Sequence, residues 1–238
     1  MLRPVSEANG RENGLLAKLP RKEYERLRPH LKPVAFAREQ ILFNEGDRIK
    51  YAYFPKDCLI SLIGITEDFQ LLEVGVVGAT GLLGITAVLR ANKLPYRAMV
   101  QLPGEAWRIR GDILRAEFDQ GGKLQDIILR YFHTLTTQLA QSAICSRFHG
   151  IENRLSRWLL DCDYHTRKEV LSITHEVMAI MLGTSRSLVT TTISRLQREG
   201  AINAQRGQVT ILNRERLKAM SCECHQVIRN EFAETLGL

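Results

Sequence analysis

Residues 171–200 limit the fold of this chain more tightly than any other stretch, because they read as two short helices around a Gly183-Thr184-Ser185 turn. Thr174 is a good N-cap for the first helix, and Glu176 adds an acid to its first turn, where the helix dipole favours negative charge. Val177, Ile180 and Met181 recur at helical spacing and should face a core, while Gly183 ends the helix in the left-handed conformation. Ser185 can cap the second helix. Its apolar positions Leu188, Val189, Ile193 and Leu196 are expected inside, leaving Arg186, Ser187, Thr190, Thr191, Ser194 and Arg195 outside.

The flanks narrow the reading further. Gly200-Ala-Ile-Asn-Ala ends the second helix, and Gln205-Arg-Gly-Gln-Val-Thr-Ile-Leu212 follows as a hairpin with a tight Arg206-Gly207 turn. Helix, turn, helix and β-wing in that order describe a winged helix, whose second helix enters the major groove of DNA with its N-terminal side chains toward base edges. Charge supports a polyanionic partner locally rather than globally. The formal net charge is +7, yet residues 150–238 carry 12 Lys+Arg against 10 Asp+Glu. Between residues 184 and 207 stand Arg186, Arg195, Arg198 and Arg206 against the single acid Glu199, a balance suited to phosphates.

Ahead of this motif the chain changes character twice. Residues 1–14 are polar and charged, lack the apolar stretch of a secretory signal, and are expected to form a mobile leader. The longest uncharged run, residues 74–89, is too short for a bilayer span and is interrupted by Gly75, Gly78, Gly81 and Gly84. We therefore expect a cytoplasmic protein without membrane contact. Leu15, Leu16 and Leu19, then Leu27 and Leu31, suggest a helical pair separated by Pro20. Short apolar stretches then alternate with turn signals across residues 33–110, as in an all-β roll. After Arg110 a helical period takes over, with Ile113, Leu114, Phe118, Leu124, Ile127, Ile128, Tyr131, Phe132, Leu135 and Leu139 marking two adjacent apolar faces. One face would lie on the roll, and the other suits a second copy in a twofold dimer.

The expected fold class is thus α+β. It comprises a leader (1–14), a jelly-roll-like β-roll sensor (15–111), a long dimerisation helix (112–146) and a winged helix-turn-helix (149–238). In this order the chain resembles the Crp/Fnr family of bacterial transcription regulators over roughly residues 15–225. The resemblance rests on Asn44-Glu-Gly-Asp47, residues 78–84, Arg154-Leu-Ser-Arg-Trp-Leu-Leu-Asp161, residues 173–196 and Arg206-Gly207. It implies a homodimer reading a pseudo-palindromic operator in double-stranded DNA, with RNA polymerase as a further partner. Arg186 matches the arginine that contacts guanine, and Thr174 and His175 match positions that touch phosphates. Ser185, Ser187, Thr190, Thr191, Arg195 and Arg206 complete the expected DNA-facing set. Where members with the best-known half-site carry a glutamate and a second arginine, this chain has Ser187 and Thr191, so its operator should differ.

The sensor departs from the pattern as well. Gly84 matches the phosphate-cassette glycine of cyclic-nucleotide-responsive members, but Ile85 replaces the glutamate that accepts from the ribose hydroxyl. Leaving that hydroxyl unpaired would cost about 1–3 kcal/mol. Cyclic AMP is therefore not the expected effector. Gly84, Arg97 and Ala98 are the positions that would face another small molecule, if the roll takes one.

No cofactor is expected. The oxygen-sensing members hold an iron–sulfur cluster on N-terminal cysteines, and none occurs here before Cys58. Cys222-Glu-Cys224-His225 is the one compact thiol group, read as reduced thiols on a C-terminal helix rather than a metal site. Cys58, Cys145 and Cys162 read as core fillers. Residues 75–84 lack the Gly-Lys-Ser/Thr ending of a phosphate loop, and His175-Glu176 lacks a second histidine at zinc-peptidase spacing, so an enzyme is not expected. One alternative stays open: a ligand-binding regulatory module whose winged helix makes protein contacts.

Overall fold

The computed structural model describes residues 12–91, 93–166 and 169–238. Most of the expected leader, residues 1–11, lies outside the described residues, but its last residues are part of the fold. Asn13, fully buried, accepts from Leu15 and Leu16 at 3.0 and 3.3 Å and donates to the carbonyls of Pro55 and Gly81, both at 2.9 Å. One side chain thereby caps α1 (Gly14–Ala17) and pins it to the roll; Pro20 then precedes α2 (Arg21–Leu27).

Seven strands follow: β1 (Lys32–Phe36), β2 (Ile41–Phe43), β3 (Tyr51–Pro55), β4 (Leu59–Ile65), β5 (Leu71–Val77), β6 (Arg97–Leu102) and β7 (Gly104–Arg110). They form two antiparallel sheets, β1-β7-β3 and β2-β6-β4-β5. Between them pack Phe36, Phe54, Ile60, Leu62, Val100 and Ile109, all buried. Six of the strands follow the apolar stretches of the sequence. β1 does not announce itself, since Pro33 interrupts it and three of its residues, Lys32, Pro33 and Ala35, are exposed.

The expected single helix over 112–146 is two: α3 (Gly111–Asp119) and α4 (Lys123–Phe148). Gly121 and Gly122 separate them at φ +77° and +86°, a region glycine enters without a Cβ clash. Apolar periodicity runs on across the break because both helices bury one face on the same core, through Leu114 and Phe118, then Leu124, Ile127, Ile128, Tyr131 and Leu135. The other face of α4 leaves Leu129, Phe132, Ile144 and Phe148 exposed at 48%, 39%, 46% and 73%. No helix among the described residues is long and apolar enough to cross a membrane.

The C-terminal part contains α5 (Ile151–Thr166), β8 (Val170–Leu171), α6 (His175–Leu182), α7 (Arg186–Arg198), β9 (Ile202–Gln205), β10 (Gln208–Ile211), α8 (Arg214–Met220) and α9 (Cys224–Glu231). Strands order β8-β10-β9 in a small antiparallel sheet. Its core is continuous with the outward face of β4, β5 and β6: Leu59, Ile63, Val76 and Leu102 pack with Trp158, Leu159, Met181 and Leu182. The winged unit also ends earlier than residue 238. Ile228, Phe232 and Leu236, four residues apart, leave it and join the core of the roll and α4.

Candidate nucleic-acid interface

Local sequence builds the reading surface. Thr174 Oγ1 accepts from the Val177 amide at 3.3 Å and starts α6; Gly183, at φ +58°, ends it. Ser185 Oγ accepts from the Leu188 amide at 3.3 Å and starts α7. Val189, Thr192, Ile193 and Leu196 then anchor α7 to the core. One position differs from expectation, and another, for which the sequence set none, joins the core. Leu188 is 44% exposed, and Thr192 is buried with its hydroxyl donating to the Leu188 carbonyl at 2.8 Å. A threonine that satisfies its own hydroxyl within the helix can stand in the apolar row.

The opposite face of α7 is open. Ser185, Arg186, Ser187, Thr190, Thr191, Ser194 and Arg195 are all exposed. The hydroxyls of Thr190, Thr191 and Ser194 donate to carbonyls one turn back at 3.0, 3.2 and 3.0 Å, which leaves the oxygens of Thr191 and Ser194 as outward acceptors while that of Thr190 meets His175. Arg195 pairs with Glu152 of α5 at 2.8 Å while its side chain remains 60% exposed, a contact of small worth that a phosphate can replace. Arg186 and Arg206 make no ion pair among the described residues.

The wing closes the site. Arg206 and Gly207 both have positive φ, +48° and +76°, and connect β9 to β10 in the tight turn the sequence indicated. Residues 173–176 at the start of α6, Arg186, and residues 204–209 of the hairpin wall one cleft of about 500 Å³. Thr174, His175, Arg186 and Arg206 therefore share one concavity, although 32 positions separate the first from the last. His175 Nδ1 lies 2.9 Å from Thr190 Oγ1 and ties the start of α6 to α7. Burial, with the Arg186 charge adding to it, holds this imidazole below its usual pKa.

Gly84, Arg97 and Ala98 do not form a comparable group. Gly84, at φ +86°, lets a buried 3-10 turn pass over β3, where an added Cβ would stand 3.0 Å from the Tyr51 carbonyl oxygen. Ala98 is fully buried in β6 between β2 and β4. Arg97 is partly buried, and its Nε has no hydrogen-bond partner. Ile85 is 2% exposed and contributes to the core.

Comparison with known proteins agrees with this geometry. Residues 153–220 match the family of Crp-like helix-turn-helix domains. Among solved structures, FixK2 from Bradyrhizobium japonicum is similar with a TM-score of 0.68 at 12% identity, over 81% of this chain and 98% of that one. The c-di-GMP responsive global regulator CLP of Xanthomonas campestris gives 0.65 at 17% identity, over 81% and 99%. A protein of Eubacterium rectale described as a crp/fnr family transcriptional regulator gives 0.65 at 16%, over 88% and 98%. At these identities the likeness is one of fold. No curated protein matches the chain.

Proposed function

We infer, from a Crp-like helix-turn-helix domain at residues 153–220 on a chain with the fold of the Crp/Fnr regulators, that this protein is a sequence-specific DNA-binding transcription regulator. It acts as a homodimer on a pseudo-palindromic operator. The observation that carries the reading is the open N-terminal half of α7, with Arg186 at the base-reading position and Thr174, His175 and Arg206 around the same cleft. Ser185, Ser187, Thr190, Thr191 and Arg195 complete the DNA-facing surface. The exposed Leu129, Phe132, Ile144 and Phe148 recur at helical spacing and supply a face of α4 for a second copy.

The roll does not serve cyclic AMP, since the buried Ile85 offers no acceptor where a ribose hydroxyl would need one. Arg97, with its unpartnered Nε, is the position from which a different anionic effector would be held. The protein works in the cytoplasm, by binding rather than by catalysis, and engages RNA polymerase once on DNA.

Selection of sites from random DNA with the full-length protein, repeated across salt concentrations, tests the central claim. Two inverted half-sites centred about 34–36 Å apart should emerge, one turn of duplex. Affinity should fall with a log–log slope of about −0.9 per phosphate contact. Failure to enrich any sequence, or binding indifferent to salt, would instead favour a winged helix that contacts protein.

A further inference from the structure

Three of the five cysteines of the chain meet at one place, together with a histidine, and the winged helix makes no use of them. Cys145 lies in the last turn of α4 and His149 caps that helix; Cys222 precedes α9 and Cys224 begins it. The four donor atoms all lie within 4.8 Å of one another. We propose that Cys145, His149, Cys222 and Cys224 form a tetrahedral Cys3His site for one zinc-like divalent ion, which fastens the exit of the dimerisation helix to the C-terminal end of the reading domain.

Two of the six donor–donor distances suit a single ion as they stand, and the others lie within 4.8 Å. A metal–sulfur bond of about 2.3 Å places neighbouring donors of a tetrahedron roughly 3.5–3.8 Å apart. Here Cys145 Sγ and Cys222 Sγ are 3.5 Å apart, and Cys224 Sγ and His149 Nδ1 are 3.4 Å apart. Soft thiolates with one imidazole select zinc over the hard, oxygen-preferring ions.

The surroundings orient the donors as metal sites require. His149 turns Nδ1 toward the sulfurs because Nε2 lies 3.2 Å from a Glu223 carboxylate oxygen, the carboxylate–histidine arrangement that fixes the tautomer of a ligand. Gln141 Nε2 donates to Cys224 Sγ at 3.1 Å. Arg154 and Arg157, the latter paired with Asp161 at 2.9 Å, lie close enough to Cys145 to act on its charge. The cysteines are nearly dry, at 1%, 7% and 0% exposure, whereas the His149 side chain reaches 18% and leaves a way in.

The spacing of the sequence hid this site. Cys222 and Cys224 are closer together than a usual zinc pair, and their neighbour His225 turns away to Asp161, with Nδ1 3.2 Å from its carboxylate. The remaining ligands come from more than 70 residues upstream, where Cys145 reads as a core filler.

Titration of the full-length, reduced, chelator-treated protein with Co(II), then Zn(II), under anaerobic conditions tests the proposal without reference to DNA binding. One Co(II) per chain should give tetrahedral visible bands with sulfur-to-metal charge transfer, and one Zn(II) should displace it. Cys224→Ser should lose the stoichiometric ion, Glu223→Gln should weaken it by about ten-fold or more, and His149→Cys should keep it with a spectrum shifted toward four sulfurs. Cys58→Ser, outside the cluster, should bind as the unaltered protein does. If Cys224→Ser fails to fold, Glu223→Gln and His149→Cys leave the thiols in place and decide the matter. Absence of a tetrahedral Co(II) spectrum in the unaltered protein, or undiminished metal in folded Cys224→Ser, would overturn the site.

Discussion

Arg186 carries a charge that no ion pair among the described residues neutralises, at the first residue of a helix whose dipole would rather hold an acid there. Such a placement costs stability in the free protein, a cost that the proposed fork of the guanidinium onto a guanine edge would recover. Arg186→Ala should therefore leave the melting temperature unchanged or slightly raised and cost about 1–3 kcal/mol at one base pair of each half-site. Competition binding with operators altered at single positions reads this directly; uniform weakening across all positions would reassign Arg186 to the phosphates. Arg206→Ala is the contrasting case, since a wing-tip cation should lower the salt slope by about 0.9 and leave base preference intact. Caps and turn residues made this site legible: Thr174, Ser185 and the Arg206-Gly207 turn act over three residues or fewer. Leu188 was less legible, because the row Leu188, Val189, Ile193 and Leu196 looks apolar throughout. Only the packing shows Leu188 outside, free to touch a thymine methyl group.

At the scale of elements, α4 depends on a residue from the other end of the chain. Gly122 has no side chain with which to cap the helix, and Glu23 of α2 supplies the acceptors, taking the amides of Lys123 at 3.1 Å and Leu124 at 2.8 Å. Nothing in the sequence near residue 122 could reveal a cap from position 23. Glu23→Ala should cost about 1 kcal/mol and speed amide exchange at Lys123 and Leu124; unchanged exchange there would show that solvent caps the helix equally well. The exposed side of α4 yields a second expectation. Phe132→Glu, beside the exposed Leu129, puts a charge into an apolar stripe that the fold of one chain leaves uncovered. It should shift the protein to monomer in sedimentation, with little effect on its melting temperature at low concentration, and remove binding to paired half-sites. A dimer surviving this change would place the twofold contact elsewhere.

Across the whole molecule, the reading domain is docked on the roll, and the junction contains a carboxyl group whose burial favours its protonated form. The sequence displays roll and winged helix as separate patterns; their shared core is hidden because strands buried on both faces and strands buried on one look alike when the apolar runs are short. At this junction Trp158 Nε1 donates to Glu73 at 2.8 Å, and Ser61 Oγ stands 2.5 Å from the other Glu73 oxygen and 3.0 Å from Gln101 Oε1. Ser61 has one proton for two acceptors. A protonated Glu73 resolves the conflict by donating to Ser61, which then donates to Gln101. Burial pushes Glu73 up from 4.5 to about 7, outweighing the hydrogen bond with Ser61, the Arg157 charge and the hydrogen bond from Trp158, which all act to lower it, while Asp161 adds to the rise. A raised carboxyl pKa means that the docked form holds a proton the undocked form has released. The resulting stabilisation is complete below about pH 4.5 and is lost as pH rises through about 7. His165, held down to about 4 by burial, adds an opposing trend, since its exposed form takes up a proton below about 6.5 and stability rises with pH up to there; that trend is common to the unaltered protein and to Glu73→Gln, so the difference between the two reports Glu73. Glu73→Gln cannot ionise and can still donate to Ser61. Melting temperatures from pH 5 to pH 8 should therefore fall more steeply for the unaltered protein than for Glu73→Gln, and parallel curves would mean that Glu73 ionises freely while the domains stay docked.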